Sequence, residues 1–367
     1  MPYRKPCGSV LEAIGNTPLV RLRRVVEDLP VEVFAKLEFM NPMGSSKDRI
    51  SKYMIEAAER DGRLKPGNLI IENSSGNTAM GLALMAIQKG YRLKVVVRDT
   101  ISQEKLNQLL ALGVQVHKAD TSLPPEHPDS YNNITPRMAR ETPNSYFPDQ
   151  HGNRENNATH YHGTGPEIWE QMEGRIDFLV AGAGTGGTIG GVGRYLKEKD
   201  PKIKVVAVDP VGSVFSPHFH GEREPKAGPY CLEGLGDEFL IPTMEFGLID
   251  DMLQVTDRQA FHHARRLVKE EGILGGGSSG AALWGVMQVA RSLPPRDPPA
   301  RLVTVFPDGA GRYLSSIFND EWLAERGLLE ADTDEGNPLL PSVALRPLRA
   351  PHELLGQSPF TSSGPRD

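Results

Sequence analysis

The chain has 367 residues, 41 Lys and Arg against 47 Asp and Glu, and a net charge of −6 with both signs interspersed. That length can bury a large core in two lobes, while the charge pattern offers no basic stripe for nucleic acid and no cationic cluster for an anionic membrane. Cys7 and Cys231 are the only cysteines, too few for a disulfide framework or a Cys-based metal site, so no metal is expected.

Short β-branched runs alternate with longer helical patterns along the chain. The expected order is a strand over 31–38, a helix opening at Lys47, a strand over 68–71, a helix over 77–89, a strand over 92–98, a helix over 102–112 and a strand over 114–119. The stretch 121–136, "TSLPPEHPDSYNNITP", is crowded with turn formers and reads as a surface excursion. The alternation resumes with a helix near 160–173, strand 176–182, helix 188–198, strand 204–210, helices 257–271 and 279–291, and strand 301–306. Strand, helix, strand at this spacing gives mostly parallel sheets with helices on both faces. No apolar run approaches the length of a bilayer span, and "MPYRKPCGSV" lacks the apolar core of a signal peptide, so a cytoplasmic location is expected. From about 331 onward the chain is Pro- and Ser-rich without period and reads as a flexible tail.

In parallel α/β folds ligands collect where strands run into helices, and three such loops are rich in glycine and hydroxyls. The first, "AGAGTGGTIGG", follows strand 176–182; Gly184, Thr185, Gly186, Gly187 and Thr188 form a cup suited to phosphate at a helix N-terminus. Gly182, Gly184 and Gly187 also satisfy the spacing of a dinucleotide fingerprint, with Asp209 about twenty residues on. An NAD site and plain strand-to-helix packing both stand as readings of this loop alone. The second loop, "ENSSGNTAMG", sets Ser74, Ser75, Asn77 and Thr78 beside free helix-end N–H donors, a cradle for a carboxylate or simply an N-cap. The third, "LGGGSSGAA", places Ser278 and Ser279 before a helix, where either serves as a cap. Lys47, in "NPMGSSKDR", is the odd residue: a cation at the positive end of a helix, where acidic residues are usual.

The ordered stretches "AIGNTPLVRL" (13–22), "NPMGSSKDR" (41–49), "SSGNTAMGLA" (74–83), "GAGTGGTIGG" (182–191) and "GGSSGAA" (276–282) resemble the fold-type-II pyridoxal-phosphate enzymes of the cysteine synthase and cystathionine β-synthase family. The likeness spans roughly 8–320, and residues 149–168 and 233–239 look closer to the cystathionine β-synthase branch. The resemblance implies two lobes, each a mostly parallel twisted sheet flanked by helices, with pyridoxal 5'-phosphate in the cleft between them. Residues 8–46 and 150–330 would form the larger lobe holding the cofactor phosphate, and 47–149 a smaller mobile lobe with the carboxylate loop. By position, Lys47 would form the internal aldimine, Asn77 would meet the ring oxygen, residues 184–188 the phosphate and Ser278 the ring nitrogen. Ser74, Ser75, Asn77, Thr78 and Gln150 would hold the substrate carboxylate. A desolvated lysine amine can act as nucleophile and general base, which gives Lys47 its reason. An uncharged serine at the ring nitrogen weakens the electron sink and favours elimination and replacement over transamination.

The implied activity is β-replacement or β-elimination on L-serine, an O-activated serine or L-cysteine through an aminoacrylate, with a small nucleophile. Cysteine desulfhydrase, cysteine synthase, cystathionine synthase and a diaminopropionate-type synthase all remain open. A homodimer is implied. Departing from many cystathionine β-synthases, the sequence is expected to carry no second globular module after 303–316 and no haem-binding N-terminal segment. Ser46 stands where the family usually has Val or Phe, and Ser74 and Ala79 depart from the usual Thr-Ser-Gly-Asn-Thr-Gly loop. These departures bear on the substrate and leave the cofactor expectation intact. From other classes, a pseudoenzyme keeping the fold would be colourless, and an NAD oxidoreductase would leave Lys47, Asn77 and Ser278 without work.

Overall fold

The structure is a computed structural model that describes residues 6–124 and 126–330; the tail expected from 331 lies outside them. Ten strands are present among the described residues: β1 Leu19–Leu22, β2 Val31–Leu37, β3 Leu69–Asn73, β4 Arg92–Arg98, β5 Gln115–Ala119, β6 Ser145–Tyr146, β7 Phe178–Gly182, β8 Lys204–Pro210, β9 Asp251–Val255 and β10 Ala300–Phe306. They form a six-stranded sheet in the order β1-β2-β10-β7-β8-β9 and a four-stranded sheet in the order β5-β4-β3-β6. Every pairing is parallel except β1 with β2.

The central strands of the larger sheet read as nearly continuous apolar runs because both of their faces are covered. Val180, Val206, Val208, Leu302 and Phe306 point into one core with Leu283, Val286 and Met287 of the helix Gly277–Ser292. Leu179, Ala181, Val205, Ala207, Val303 and Val305 point into the other, against Ile189, Val192 and Leu196 of the helix Gly187–Lys199. In the smaller sheet, Ile70, Val95 and Val97 pack on Leu82, Met85 and Ala86 of the helix Asn77–Lys89.

The stretch 121–136 departs from expectation, because the helix Tyr131–Glu141 begins inside it and contains Pro136. Tyr131, Ile134 and Met138 lie on one helical stripe and cover Val96 and Ala119 on the second face of the smaller sheet. That burial outweighs the missing proline donor. The helix expected near 160 starts earlier, as Glu155–Thr159, and runs through a π-turn, His160–Thr164, into Gly165–Gln171.

Topology decides where a site can form. β10, late in the chain, lies between β2 and β7, so the loops leaving β7 and β10 emerge side by side at the carboxyl edge of the sheet. β3 and β6 are likewise neighbours in the smaller sheet. The loops leaving them carry residues 74–78 and Gln150.

Candidate active site

Lys47 is the first residue of the helix Lys47–Arg60 and is half-buried. Its Nζ has no hydrogen-bond or ion-pair partner among the described residues. Burial pulls its pKa below the usual lysine value, and the carboxylates of Asp308 and Glu38 oppose that pull. The helix Asn77–Lys89 approaches closely because position 81 is glycine; a Cβ there would lie 2.8 Å from the Lys47 carbonyl oxygen.

Asn77 opens that second helix. Its Nδ2 donates to Asp308 Oδ2 at 2.8 Å, and its Oδ1 is buried without a partner among the described residues. Ser278, 6% exposed, sits in the first turn of Gly277–Ser292 and donates to Asp308 Oδ1 at 3.4 Å. Tyr313 donates from its hydroxyl to Asp308 Oδ2 at 2.6 Å. Asp308, two residues beyond β10 and 2% exposed, therefore joins a helix of the smaller-sheet region to one of the larger. Sequence reading passed over it, since Pro-Asp-Gly reads as an ordinary turn.

A second chain of hydrogen bonds joins the loops after β3, β6 and β7. Thr78 donates from Oγ1 to Gln150 Oε1 at 2.6 Å, and Asn156 Nδ2 donates to the Gln150 carbonyl at 2.8 Å and to Thr185 Oγ1 at 2.9 Å. Thr78, Gln150 and the glycine loop are thus linked through Asn156. Ser74 turns its hydroxyl inward, accepting from the amides of Gly76 and Ala79 at 3.3 Å. Ser75 accepts from the Arg98 amide at 3.1 Å, so its hydroxyl is braced against the end of β4 and is not hydrogen-bonded to Thr78 or Gln150. Ser46 is 1% exposed and its Oγ has no partner among the described residues.

In the glycine loop, Gly184 and Thr185 follow β7. Gly186 caps the Gly187–Lys199 helix with φ of 75°, in the left-handed region. Thr188 lies within hydrogen-bond reach of His160 Nε2 at 3.2 Å, and His160 Nδ1 is 2.9 Å from Thr164 Oγ1. Burial holds His160 down at about 3, so the ring is neutral over the working pH range. Asn157 braces the same loop, donating to the Thr243 carbonyl at 2.9 Å. Asn156, Asn157 and His160 were visible in the sequence only as a polar run ahead of a helix. The stretch 233–239 lies over the loop: Gly236 N donates to the Ala183 carbonyl at 2.7 Å, and Asp237 faces His151 at 3.5 Å.

Gly187 is the tightest point of the cup, since a Cβ there would overlap Asn156 Oδ1. Gly187→Ala is expected to displace Asn156, cost about 1–3 kcal/mol of stability and weaken cofactor binding at least about tenfold. A titration followed by visible absorbance measures this, and wild-type affinity would contradict it. Asp209, the acidic residue of the dinucleotide spacing, is fully buried in β8 and accepts from the Ser216 amide at 2.9 Å. It is a strand-end brace, turned toward the protein interior. Among the described residues there is no cluster of three or more potential metal ligands, and no helix is long and apolar enough to cross a membrane.

Residues 10–308 match the family described as pyridoxal-phosphate dependent enzyme. The chain is 42% identical over 330 residues to a cystathionine beta-synthase of Apis mellifera, covering 89% of this chain and 64% of that one. It is 38% identical over 332 residues to the Saccharomyces cerevisiae cystathionine beta-synthase, covering 88% and 65%. The chain thus spans just under two thirds of the length of these relatives. A crystal structure of a hydrogen sulfide-producing enzyme from Fusobacterium nucleatum superposes with a TM-score of 0.78 at 33% identity, covering 86% of this chain and all of that one. The half-buried lysine, the glycine loop and this likeness over most of its length agree: the chain belongs to the pyridoxal-phosphate-dependent enzyme family and takes pyridoxal phosphate as its cofactor.

Proposed function

We propose that the protein catalyses β-replacement or β-elimination on L-serine, an O-activated L-serine or L-cysteine, with sulfide or another small nucleophile as partner. The observation that carries this reading is a half-buried lysine without a hydrogen-bond or ion-pair partner among the described residues, together with Thr78 holding Gln150 by a hydrogen bond at 2.6 Å. The residues suit the cofactor: among the described residues the Lys47 amine has no partner, Asn77 Nδ2 keeps one proton beyond the one given to Asp308, and the glycine loop opens onto a helix N-terminus.

When bound, pyridoxal phosphate supplies an electron sink for negative charge developing at the substrate α-carbon. In this reading Lys47 would hold the cofactor through its amine, and that uncharged amine, when free, would take the substrate α-proton as general base. Gly184, Thr185, Gly186, Gly187 and Thr188 bind the phosphate, Asn77 faces the ring oxygen and Ser278 the ring nitrogen. Thr78 already donates to Gln150 Oε1, which leaves the Gln150 amide protons to bind the substrate carboxylate, with Ser74, Ser75 and Asn77 around them. Gln150→Ala is expected to raise KM for the amino acid about tenfold with an unchanged visible spectrum; an unchanged KM would count against that placement.

Residues 8–46 and 150–330 are proposed as the lobe that holds the cofactor phosphate, and 47–149 as the lobe that moves on substrate binding. We also infer a cytoplasmic homodimer. Met40, Leu274 and Leu314, each more than half exposed, flank the turn where Ala310 N bonds the Leu274 carbonyl at 2.9 Å, an apolar face suited to a second copy. Sedimentation at the mass of one chain would sink the dimer.

The decisive experiment supplies O-acetylserine, serine and cysteine, each with sulfide, homocysteine or ammonia, and reads product mass. The reading expects a β-substituted alanine, or pyruvate with sulfide and ammonia. Turnover of none of these by yellow protein would overturn it. A sulfide-releasing variant of the reaction on cysteine is the second reading, favoured by the likeness to the Fusobacterium nucleatum structure.

A further inference from the structure

Asp308 is a buried carboxylate to which the reaction proposed above gives no part, yet three side-chain donors converge on it. Asn77 Nδ2 and the Tyr313 hydroxyl share Oδ2 at 2.8 and 2.6 Å, and Ser278 reaches Oδ1 at 3.4 Å. Its backbone is fixed as well. Gly276 N donates to the Asp308 carbonyl at 3.0 Å, Ser46 N donates to the Pro307 carbonyl at 2.8 Å, and Ser45 forms a bridge with Asp308. A side chain at position 276 would collide with Asp308 Oδ1, so glycine there is what admits the carboxylate.

Resting on the reading that Lys47, Asn77 and Ser278 hold the cofactor, we propose that Asp308 is a positioning residue that orients Asn77 and Ser278 and supplies the negative charge facing Lys47. An ionised carboxylate only accepts hydrogen bonds. It therefore fixes the donor end of the Asn77 amide toward itself, leaving the second Nδ2 proton for the ring oxygen. Ser278, donating to Asp308, presents lone pairs to whatever lies at its other side. The serine is thereby held in one orientation at the ring-nitrogen position and stays uncharged.

The same charge acts on the lysine. The groups facing Lys47 are Asp308 after β10, Glu38 after β2, His151 after β6 and His160 in the π-turn. Asp308 is the strongest opposing influence on an amine that burial drives toward neutrality. Around Asp308 itself stand Tyr313, kept protonated because burial and the carboxylate push its pKa well up, and Arg312.

The test is a pH titration of the visible absorption of the holoprotein. Asp308→Asn keeps the shape and removes the charge, so the nitrogen of Lys47 holds its proton less well and the midpoint moves down by roughly one unit. Tyr313→Phe removes a donor that shields the carboxylate, so the midpoint moves up by roughly a few tenths of a unit. A merely structural Asp308 would lower stability in both variants and leave both midpoints where they are. Unmoved midpoints beside a normal wild-type band overturn the proposal, and should Asp308→Asn not fold, Tyr313→Phe alone decides by the sign of its shift. A wild-type protein with no visible band after addition of pyridoxal phosphate would instead sink the cofactor-site reading on which the proposal rests.

Discussion

Lys47→Ala is expected to lower turnover at least about a thousandfold, within the range in which positioned acid–base groups contribute, and to remove the covalent attachment of cofactor. The two effects have different causes and separate readouts. Loss of the amine leaves no base poised at the α-proton, which is read in the rate of product formation. Loss of the nucleophile leaves no linkage for borohydride to fix, which is read as the missing mass increase on the peptide containing residue 47. The fold should survive, because Lys47 begins its helix and its amine makes no hydrogen bond or ion pair among the described residues. Removing a desolvated amine from a half-buried position costs little and can even stabilise. A melting temperature near wild type with activity gone assigns the loss to chemistry. Activity within tenfold of wild type, or borohydride-fixed cofactor on another lysine, would displace Lys47 from its role.

Much of this arrangement could be read from the chain because burial on both faces leaves a plain mark. β7, β8 and β10 are apolar runs joined to helical patterns, and the loops between them are where a parallel sheet exposes its ligand edge. The glycine cup was legible for the same reason, although its spacing also fits a dinucleotide fingerprint. Only the burial of Asp209 against Ser216 shows why that second reading gains no support from geometry. What sequence reasoning could not reach are residues whose role comes from long-range contact. Asp308 is 231 residues from Asn77, and Asn156 joins Gln150 to Thr185 from within a polar run that has no spacing rule of its own. The helix Tyr131–Glu141 was obscured by Pro136 and its neighbours, since the stripe of Tyr131, Ile134 and Met138 acquires meaning only against Val96 and Ala119. Ser75 is a further case of a contact without a local signal: its hydroxyl accepts from the Arg98 amide at the end of β4.

The lysine helix is seated on charges, and Arg49→Met should expose their cost. Arg49, two residues after Lys47 and 6% exposed, donates to Glu38 from Nε at 2.6 Å and Nη2 at 2.9 Å, and to Glu167 from Nη1 at 2.7 Å and Nη2 at 2.8 Å. Lys36, fully buried, adds a bond to Glu167 at 2.7 Å. A cation shared by two carboxylates is hard to replace, and removing it leaves Glu38, which is 0% exposed, with only the neutral donors Thr17 and Asn41 and the more distant charge of Lys36. The expected loss is roughly 3–5 kcal/mol at pH 7, measured by urea unfolding. The pH dependence gives the sharper signature. In the wild type the cation holds Glu167 down to about 2 and lowers Glu38 as well. That stability is fully present above the unfolded carboxylate range and is lost as pH falls through about 4 toward 2. In the variant, burial without its cation pushes Glu38 upward, so its folded pKa exceeds the unfolded one and stability falls as pH rises above about 4. The gap between the two proteins should therefore be widest near neutrality and close as the solution is acidified. A gap that stays constant with pH would mean that Arg49 acts through packing alone, and that the helix presenting Lys47 does not depend on the buried charges beneath it.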